Sequence, residues 1–289
     1  MRLGLHALGI GAGARRAVID AVAVAAERHG FATLWAGEHV VMVDQPASRY
    51  PYSADGRIAV PAAADWIDPL IGLSFAAAVT STIDLATGVL LLPEHNPVVV
   101  AKQAATLDGL SGGRLRLGVG VGWCREEFDT LGVPFERRAA RTAEYVMAMR
   151  RLWCDEIASF AGEFVHFDQV RLNPKPVRDR RIPIIVGGNS DAALRRVAAW
   201  GDGWYGFNLP DVGAVADRVA AIRRFCGESG RDAGDLRLAV SLAHTGEGDA
   251  AALSEVGIDE LIIVASPPDD FAAIPDWLAG LAPQPAPSP

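Results

Sequence analysis

Residues 84–120 decide the fold, because they hold one complete strand–helix–strand unit. DLATGVLL (residues 84–91) and LRLGVG (residues 115–120) are short apolar runs typical of buried strands. Between them, PVVVAKQAATLDGL (residues 97–110) has the composition and spacing of a helix, and Asn96 before Pro97 is a helix N-cap signal. Two strands joined by a helix of this length predict a parallel βαβ unit.

The same alternation runs through the rest of the chain. Strands are predicted at residues 3–8, 33–36, 84–91, 115–120, 182–187, 203–207, 236–242 and 260–264. Helices are predicted at residues 14–29, 69–80, 97–110, 136–153, 190–200, 212–227, 249–256 and 271–281. Eight βα units in a chain of this length predict an α/β protein with a closed (β/α)8 TIM barrel, built as one domain over residues 1–281. A doubly wound open sheet is the alternative, because the order of strands and helices alone does not show closure.

Two long segments interrupt this alternation and are predicted to be insertion loops. Residues 37–65 follow the second strand, and residues 155–181 separate the helix after the fourth strand from the fifth strand. Long loops in a compact domain are usually lids or binding loops, so residues 37–65 are the candidate lid. The aromatic side chains of these regions could line a pocket or only fasten the loops: Tyr50, Tyr52, Trp66, Phe160, Phe164 and Phe167. The Pro-rich residues 282–289 are predicted to be a disordered tail.

Composition excludes several classes of protein. The 289 residues carry 35 acidic against 27 basic side chains, and the net charge of −8 argues against a nucleic-acid partner. The longest uncharged stretch, residues 69–83, is too short to span a bilayer, and residues 1–7 lack the layout of a signal peptide. Three distant cysteines, Cys124, Cys154 and Cys226, indicate reduced thiols rather than a disulfide framework or a zinc site. The sequence therefore predicts a cytoplasmic protein with no membrane, nucleic-acid or metal partner.

Three motifs follow predicted strands, at the rim where barrel enzymes place catalysis. Glu38-His39 ends the second strand, and an imidazole there can act as a general acid or base, or be a structural hydrogen-bonding group. Residues 118–123 (GVGVGW) close the fourth strand, where glycines let a flat or phosphorylated ligand approach or simply pack tightly. Residues 186–190 (VGGNS) lead into a helix whose free N–H groups can bind phosphate, or form an ordinary capped turn.

Taken together, these motifs resemble the bacterial luciferase-like superfamily, and particularly its coenzyme F420-dependent oxidoreductases. The matching stretches are residues 30–39, 86–90, 96–103, 105–114, 118–127, 174–176, 186–190 and 201–204. The resemblance covers about residues 2–210 in order and fades toward the C-terminus.

The resemblance implies a barrel that holds coenzyme F420, or alternatively FMN, at the C-terminal ends of its strands, usually in a homodimer. It places Glu38 and His39 against the deazaflavin ring, and it predicts a non-prolyl cis peptide bond behind the ring, between Gly88 and Val89. The cofactor phosphate is expected on the backbone of Val121, Gly122, Gly187, Gly188, Asn189 and Ser190.

One position departs from the family pattern. Where the sugar-phosphate dehydrogenases of the family have a glutamate just after the strand-four glycines, this chain has Trp123. The change argues against the same acid–base chemistry on a sugar phosphate and favours an apolar substrate face. Trp123, Tyr50 and Tyr52 are therefore the candidate substrate-pocket residues, and Glu126 or Glu127 could supply a carboxylate one helical turn away.

The leading hypothesis is an F420-dependent oxidoreductase that transfers a hydride between the deazaflavin C5 atom and a small organic substrate. Glu38 and His39 are its candidate catalytic residues, with His39 as the proton donor or acceptor. An FMN-dependent monooxygenase on the same barrel is the second hypothesis. A non-catalytic flavin-binding barrel is the third, and it predicts that replacing His39 changes only the affinity for the cofactor.

Overall fold

The computed structural model describes residues 1–281 and shows eight parallel strands closed into a barrel. The strands in chain order are β1 (Arg2–Leu8), β2 (Thr33–Ala36), β3 (Asp84–Thr87), β4 (Leu90–Leu91), β5 (Leu115–Gly120), β6 (Ala158–Ala161), β7 (His166–Val170), β8 (Ile184–Gly187), β9 (Gly203–Leu209), β10 (Arg237–Leu242) and β11 (Glu260–Val264). All but β6 and β7 belong to the barrel, and β4 continues β3. The predicted TIM barrel is confirmed. The predicted tail, residues 282–289, lies outside the described residues.

Closure of the sheet is visible in its pairing. The strands follow the order β3, β2, β1, β11, β10, β9, β8 and β5, and β3 then pairs directly with β5 through Leu85 and Leu115. Because every neighbouring pair is parallel, the C-terminal ends of all eight barrel strands meet at one mouth. An open doubly wound sheet has two unpaired edges, so this pairing rules out the alternative fold.

Helices cover the outside of the barrel. Their bounds are α1 (Arg16–Arg28), α2 (Pro69–Val79), α3 (Pro97–Ser111), α4 (Arg125–Thr130), α5 (Arg138–Cys154), α6 (Asp191–Trp200), α7 (Val212–Glu228), α8 (Asp249–Val256) and α9 (Ile274–Leu281). The short helix α4 was not predicted. Asn96 caps α3 by accepting hydrogen bonds from Val98 N and Val99 N, as predicted, and Ser190 rather than Asn189 caps α6. Within residues 1–281, none of these helices has the length and apolar character to cross a membrane.

The predicted third strand, residues 84–91, is broken after Thr87. The peptide bond between Gly88 and Val89 is cis, at the position where the resemblance places one. Val89 projects toward the neighbouring strands, and a Cβ added at Gly120 or Gly187 would lie within 2.8 Å of its methyl groups. A Cβ at Gly118 would meet the Thr87 carbonyl oxygen. Glycines of β5 and β8 thus leave the room that this break in the strand requires, which supports the tight-packing interpretation for Gly118 and Gly120.

The two predicted insertions differ in structure. Residues 37–65 form an irregular loop over the mouth of the barrel, whereas residues 155–181 contain the antiparallel hairpin β6–β7, which was not predicted. Phe160 and Phe167 stack within this hairpin, with ring centroids 5.9 Å apart, and Phe164 lies under two arginine side chains of the α5 region. The aromatic residues of the second insertion therefore fasten it to the barrel. By contrast, the aromatic residues of the first insertion line a pocket.

Candidate active site

The mouth of the barrel holds a pocket of about 910 Å³. Its walls come from the C-terminal ends of β1, β2, β5, β8 and β9, the break after β3, and the loop at residues 37–65. All predicted site residues line it: Glu38, His39, Tyr50, Tyr52, Gly88, Val89, Val121, Gly122, Trp123, Gly187, Gly188, Asn189 and Ser190. Because the C-terminal ends of the barrel strands converge, the fold brings together residues that are up to 152 positions apart, counted from Glu38 to Ser190.

His39 is held by a carboxylate. Its Nδ1 donates a hydrogen bond of 2.7 Å to Oε2 of Glu127, while Oε1 of Glu127 accepts from the backbone N–H groups of Val40 and Val41. The His39 side chain is 7% exposed and the Glu127 side chain 1%. Because Nδ1 carries the proton shared with Glu127, Nε2 is the ring nitrogen available to a ligand in the pocket. The edges of Trp66 and Trp123 pack against the ring and fix its plane.

Glu38 lines the pocket and is bound to the protein through both oxygens of its carboxylate. Its carboxylate accepts a 2.6 Å hydrogen bond from Leu91 N and lies 3.0 Å from the donating Nε2 of His95. Burial alone would lower the pKa of His95, but the hydrogen bond and charge of Glu38 raise it above its ordinary value. Both carboxylate oxygens are thus engaged with the segment after β4. This arrangement suits Glu38 to positioning the segment around the broken strand rather than to proton transfer.

A third carboxyl group lies behind the same wall. Glu94 is 8% exposed, and within residues 1–281 neither of its carboxyl oxygens has a hydrogen-bond partner. A Cβ at Gly122 would lie 3.1 Å from Glu94 Oε1, so the carboxyl group touches the backbone of the pocket wall. Burial, then the charges of Glu127 and Glu38, raise the pKa of Glu94 to about 9. Glu94 is therefore a neutral acid at physiological pH.

The floor of the pocket is formed by a second imidazole. His6 on β1 lies 3.0 Å through its Nδ1 from the Tyr205 hydroxyl on β9, and a Cβ at Gly88 would contact its ring. Burial lowers the pKa of His6 to about 4, so the imidazole is neutral at physiological pH. This pair provides a neutral polar surface beneath the break in the strand.

The opposite end of the pocket is suited to an anion. The N-terminus of α6 opens there, and the N–H groups of a first helical turn have no partner inside the helix. Arg196 and Arg138 line the same region, and within the described chain the buried Nε of Arg196 has no hydrogen-bond partner. The Asn189 side chain is engaged with the backbone of Phe207, so only its main chain faces a ligand.

Aromatic side chains of the first insertion close the pocket from above. Tyr50 packs edge-on against Trp123, with ring centroids 5.3 Å apart, and Tyr52 packs in the same way against Phe207. Trp123 also places a buried indole N–H in the wall, and no hydrogen-bond acceptor lies near it among residues 1–281. These contacts support the predicted apolar substrate face and leave one unpaired donor within it.

Sequence reasoning did not assign several of these residues to the site. His6 and Arg138 line the pocket, whereas the default interpretations were a structural histidine, which the first strand could point into the barrel, and a solvated helix arginine. Glu94 and Arg196 also lie at the site, and the sequence alone does not choose between Glu126 and Glu127. For Arg196 a signal existed, because it is a charged residue inside the predicted helix at residues 190–200, which follows the VGGNS motif. Glu94 lies between a predicted strand and a predicted helix, where no signal marks it. For Glu127 the signal was absent, since 88 residues separate it from His39.

Comparisons with known proteins agree with this fold. The sequence profile described as luciferase-like monooxygenase matches residues 3–286, and the chain belongs to this family. An uncharacterized protein of Mycobacterium tuberculosis (strain ATCC 25618 / H37Rv) is 35% identical over 262 residues, which cover 90% of this chain and 92% of that one.

One further relative and one solved structure carry functional names. Pyrimidine monooxygenase RutA of Allorhizobium ampelinum (strain ATCC BAA-846 / DSM 112012 / S4) is 34% identical over 177 residues, or 58% of this chain and 47% of that one. The coenzyme F420 dependent tetrahydromethanopterin reductase from Methanopyrus kandleri is 17% identical, with a TM-score of 0.73 over 97% of both chains. At this identity the likeness shows the fold alone. The chain is thus similar in sequence to a protein named as a monooxygenase and similar in fold to one named as an F420-dependent reductase.

Proposed function

We propose that this protein is an F420-dependent oxidoreductase that transfers a hydride between the deazaflavin C5 atom and a small organic substrate. The proposal depends on what lies at the two ends of the mouth pocket. His39 is hydrogen-bonded to Glu127 at one end, and the N-terminus of α6 and the side chain of Arg196 lie at the other. A flat cofactor with a phosphate group would place its ring beside His39 at the first end and its phosphate beside Arg196 at the second. The F420-dependent reductase with the same barrel supports the choice of deazaflavin.

The residues present fit such a cofactor. The buried Nε of Arg196 and the helix N-terminus beside it are donors in need of an anion, as a phosphate would supply. At Gly188, where φ is +120°, an added Cβ would come within 3.0 Å of Ala193, so only glycine leaves the backbone open there. The 910 Å³ pocket also lies at the upper end of the range for cofactor sites.

Each side chain of the pocket has a distinct role in the proposed reaction. A bound deazaflavin would supply or accept the hydride at C5. His39 would hold a proton at Nε2 and exchange it with the substrate atom that changes its charge. Glu127 fixes the tautomer of His39 and stabilises its imidazolium form, as a buried carboxylate does in other His–carboxylate pairs. Glu38 keeps the segment after β4 in place, and Tyr50, Tyr52 and Trp123 exclude water.

An FMN-dependent monooxygenase is the second candidate. It is favoured by the 34% identity to the pyrimidine monooxygenase, although that match covers about half of the relative's length. FMN carries a phosphate that the α6 end of the pocket would also suit. The two candidates differ in the reaction: a monooxygenase consumes oxygen, whereas the proposed oxidoreductase turns over under anaerobic conditions.

The proposal is tested by turnover. Protein loaded with reduced F420 is mixed anaerobically with a panel of small aldehydes, ketones and unsaturated carbonyl compounds, and the absorbance of oxidised deazaflavin is followed. We expect at least one class to be reduced, and His39→Asn to lower kcat roughly 100-fold or more, the usual contribution of a general acid. Glu127→Gln should lower kcat less and shift its pH profile, because the partner of Nδ1 is then uncharged.

The matched control is His166→Asn, which changes an exposed histidine of the hairpin that does not line the pocket. It should leave kcat unchanged. An active His39→Asn variant that differs only in its affinity for F420 would contradict the catalytic role of His39. Binding of F420 by the unchanged protein without turnover of any compound would instead favour the non-catalytic barrel.

We also propose a cytoplasmic homodimer in which residues 1–281 act as one domain. Ile71, Phe75 and Val79 are exposed on successive turns of α2, and Val98 and Val99 are exposed on the adjacent α3. Apolar side chains at four-residue spacing form a stripe that water solvates poorly. Light scattering should give twice the chain mass, and a monomer mass would contradict this interface. The three free cysteines are consistent with a reducing compartment.

A further inference from the structure

A second cavity, of about 550 Å³, opens at the other end of the barrel, where the strands begin. We call it the basal cavity. Its charged lining consists of Asp84, Asp108, Arg114, Arg116, Arg178, Arg181, Asp202, Arg231, Asp235 and Arg237. Six arginines against four aspartates make this end cationic, in a chain whose net charge is −8. Nothing in the mouth chemistry uses this cavity.

Four of the six arginines are engaged within the protein. Arg114 and Arg231 donate to backbone carbonyls, Arg114 to Ile83 O at 2.8 Å and Arg231 to Ala198 O at 2.9 Å, for example. Arg116 pairs with Asp84, and Arg181 pairs with Asp202. Both of these acids are also bound by an arginine outside the lining, Arg2 for Asp84 and Arg150 for Asp202. Asp84 and Asp202 are therefore each shared by two arginines. Asp108 accepts a hydrogen bond of 2.8 Å from Val177 N, and burial raises its pKa although the nearby charge of Arg178 lowers it, whereas Asp235 is exposed.

Arg237 and Arg178 are the exceptions. Among residues 1–281, neither guanidinium has an ion pair or a side-chain hydrogen bond, although Arg237 is half-buried at the start of β10. Burial lowers the pKa of Arg116, the charge of Asp84 opposes this, and the neighbouring guanidinia of Arg237 and Arg2 lower it further. A partly buried cation among like charges is costly unless an anion compensates it. The basal cavity therefore has a place for a counterion that the protein does not supply.

The second insertion builds one wall of this cavity. Arg178 and Arg181 belong to residues 155–181, and the two residues between them, Asp179 and Arg180, have φ values of 48° and 54°. Non-glycine residues rarely adopt this left-handed conformation, and two in succession are rarer. The turn brings Arg178 and Arg181 to the same cavity wall. The insertion thus contributes cations to the cavity in addition to covering the barrel.

We propose that the basal cavity binds a multiply charged phosphate oxyanion, such as a pyrophosphate group, between Arg178, Arg237 and Arg116. Guanidinium groups offer paired N–H donors that match two oxygens of a phosphate, which makes arginine the usual residue for this recognition. The cavity is larger than a single phosphate group requires, so a diphosphate or a phosphorylated small molecule is the class of ligand. The proposal is independent of the cofactor at the mouth.

Calorimetric titration of the whole protein with inorganic pyrophosphate tests this site. We expect saturable binding, and Arg237→Gln should weaken it roughly tenfold or more, the cost of one charge-assisted contact. Arg178 is exposed, so that Arg178→Gln should leave the fold intact. This variant should also bind pyrophosphate more weakly. Thermal melting of each variant checks that it is folded.

Two control variants distinguish binding in the basal cavity from binding at the mouth or on the general surface. Arg28→Gln removes the same charge at the same end of the barrel, since Arg28 ends α1 just before β2, but outside the cavity. It should bind pyrophosphate as the unchanged protein does. Arg196→Gln removes a charge at the mouth. Absence of pyrophosphate binding, equal binding by Arg237→Gln and Arg28→Gln, or binding lost only with Arg196→Gln would each overturn the proposal.

Discussion

At the residue scale, Glu94 controls the charge of the wall behind His39. Three carboxyl groups, Glu38, Glu94 and Glu127, lie near one another with two imidazoles, and all three are buried. Two of them have hydrogen-bond donors and remain paired, whereas Glu94 has none within residues 1–281. Its neutral form is therefore the one that the fold accepts, because a third buried negative charge would be uncompensated.

Replacing Glu94 should make stability less dependent on pH. The folded protein holds the Glu94 proton up to a pKa of about 9, whereas an unfolded chain releases it near the ordinary value of 4.5. Stability contributed by the protonated group is complete below pH 4.5 and is lost as the pH rises to 9, at most about 1.4 kcal/mol per pH unit. Glu94→Gln should thus match the unchanged protein at pH 5 and melt at a higher temperature at pH 8.

Melting temperatures at several pH values provide the measurement. The control is Glu255→Gln, which changes an exposed glutamate on α8 and should give the same difference from the unchanged protein at every pH. A constant difference for Glu94→Gln would mean that Glu94 is ionised in the folded protein.

The sequence could predict the residues that follow strands, but not their partners. Glu38, His39, Trp123 and Ser190 were placed correctly at the pocket because strand C-termini converge in a parallel barrel. Whether a carboxylate is free or already bound depends on distant parts of the chain. The hydrogen bond of Glu38 with His95, 57 residues away, is one such partner that the sequence does not show.

At the scale of elements, the short helix α4 fastens the loop over the mouth. Oε1 of Glu126 accepts hydrogen bonds from Ala47 N at 2.6 Å and Ser48 N at 3.1 Å, and Arg125 N donates to the Ser48 hydroxyl. Burial is the largest single influence on the pKa of Glu126 and raises it, but the hydrogen bonds from Ser48 and nearby backbone N–H groups together outweigh burial and lower the pKa to about 2. Glu126 is thus ionised over the whole physiological range, and the loop is anchored at its middle.

Glu126→Ala should release this loop. The change removes two charge-assisted hydrogen bonds, each worth about 1.5–3 kcal/mol where a charged group takes part, while α4 keeps its place through Glu127. We expect trypsin to cleave faster at Arg49 and Arg57, and cofactor affinity to fall. Asp129→Ala, at an exposed position on the same helix, is the matched control. Unchanged cleavage in Glu126→Ala would show that the loop is held by its aromatic contacts instead.

Element boundaries were predictable where local signals exist. The caps of α3 and α6 follow from Asn96 and Ser190, which have the side chains that accept N-terminal N–H groups. The hairpin β6–β7 was not predictable in the same way, because His166–Val170 is largely exposed and lacks an alternating apolar pattern. The break after Thr87 needed the resemblance, since nothing in residues 84–91 taken alone interrupts a strand.

At the scale of the whole molecule, the barrel has two differently charged ends. The C-terminal mouth combines apolar walls, a carboxylate–imidazole pair and an anion-binding helix end, whereas the N-terminal end carries the basal cavity with its surplus of arginine. The βα alternation predicted the barrel and therefore the mouth, but closure of the sheet became visible only in the pairing of β3 with β5. The basal cavity was not predictable, because its lining comes from strand starts and one insertion whose approach depends on closure.

The central claim is that the mouth pocket is built for a deazaflavin, and a parallel titration tests it most directly. The purified apoprotein is titrated with F420 and with FMN, and binding is followed by fluorescence. We predict micromolar or tighter binding of F420, with FMN weaker by roughly tenfold or more, a difference of about 1.4 kcal/mol. Tighter binding of FMN would contradict the claim and move the protein to the monooxygenase branch of the family.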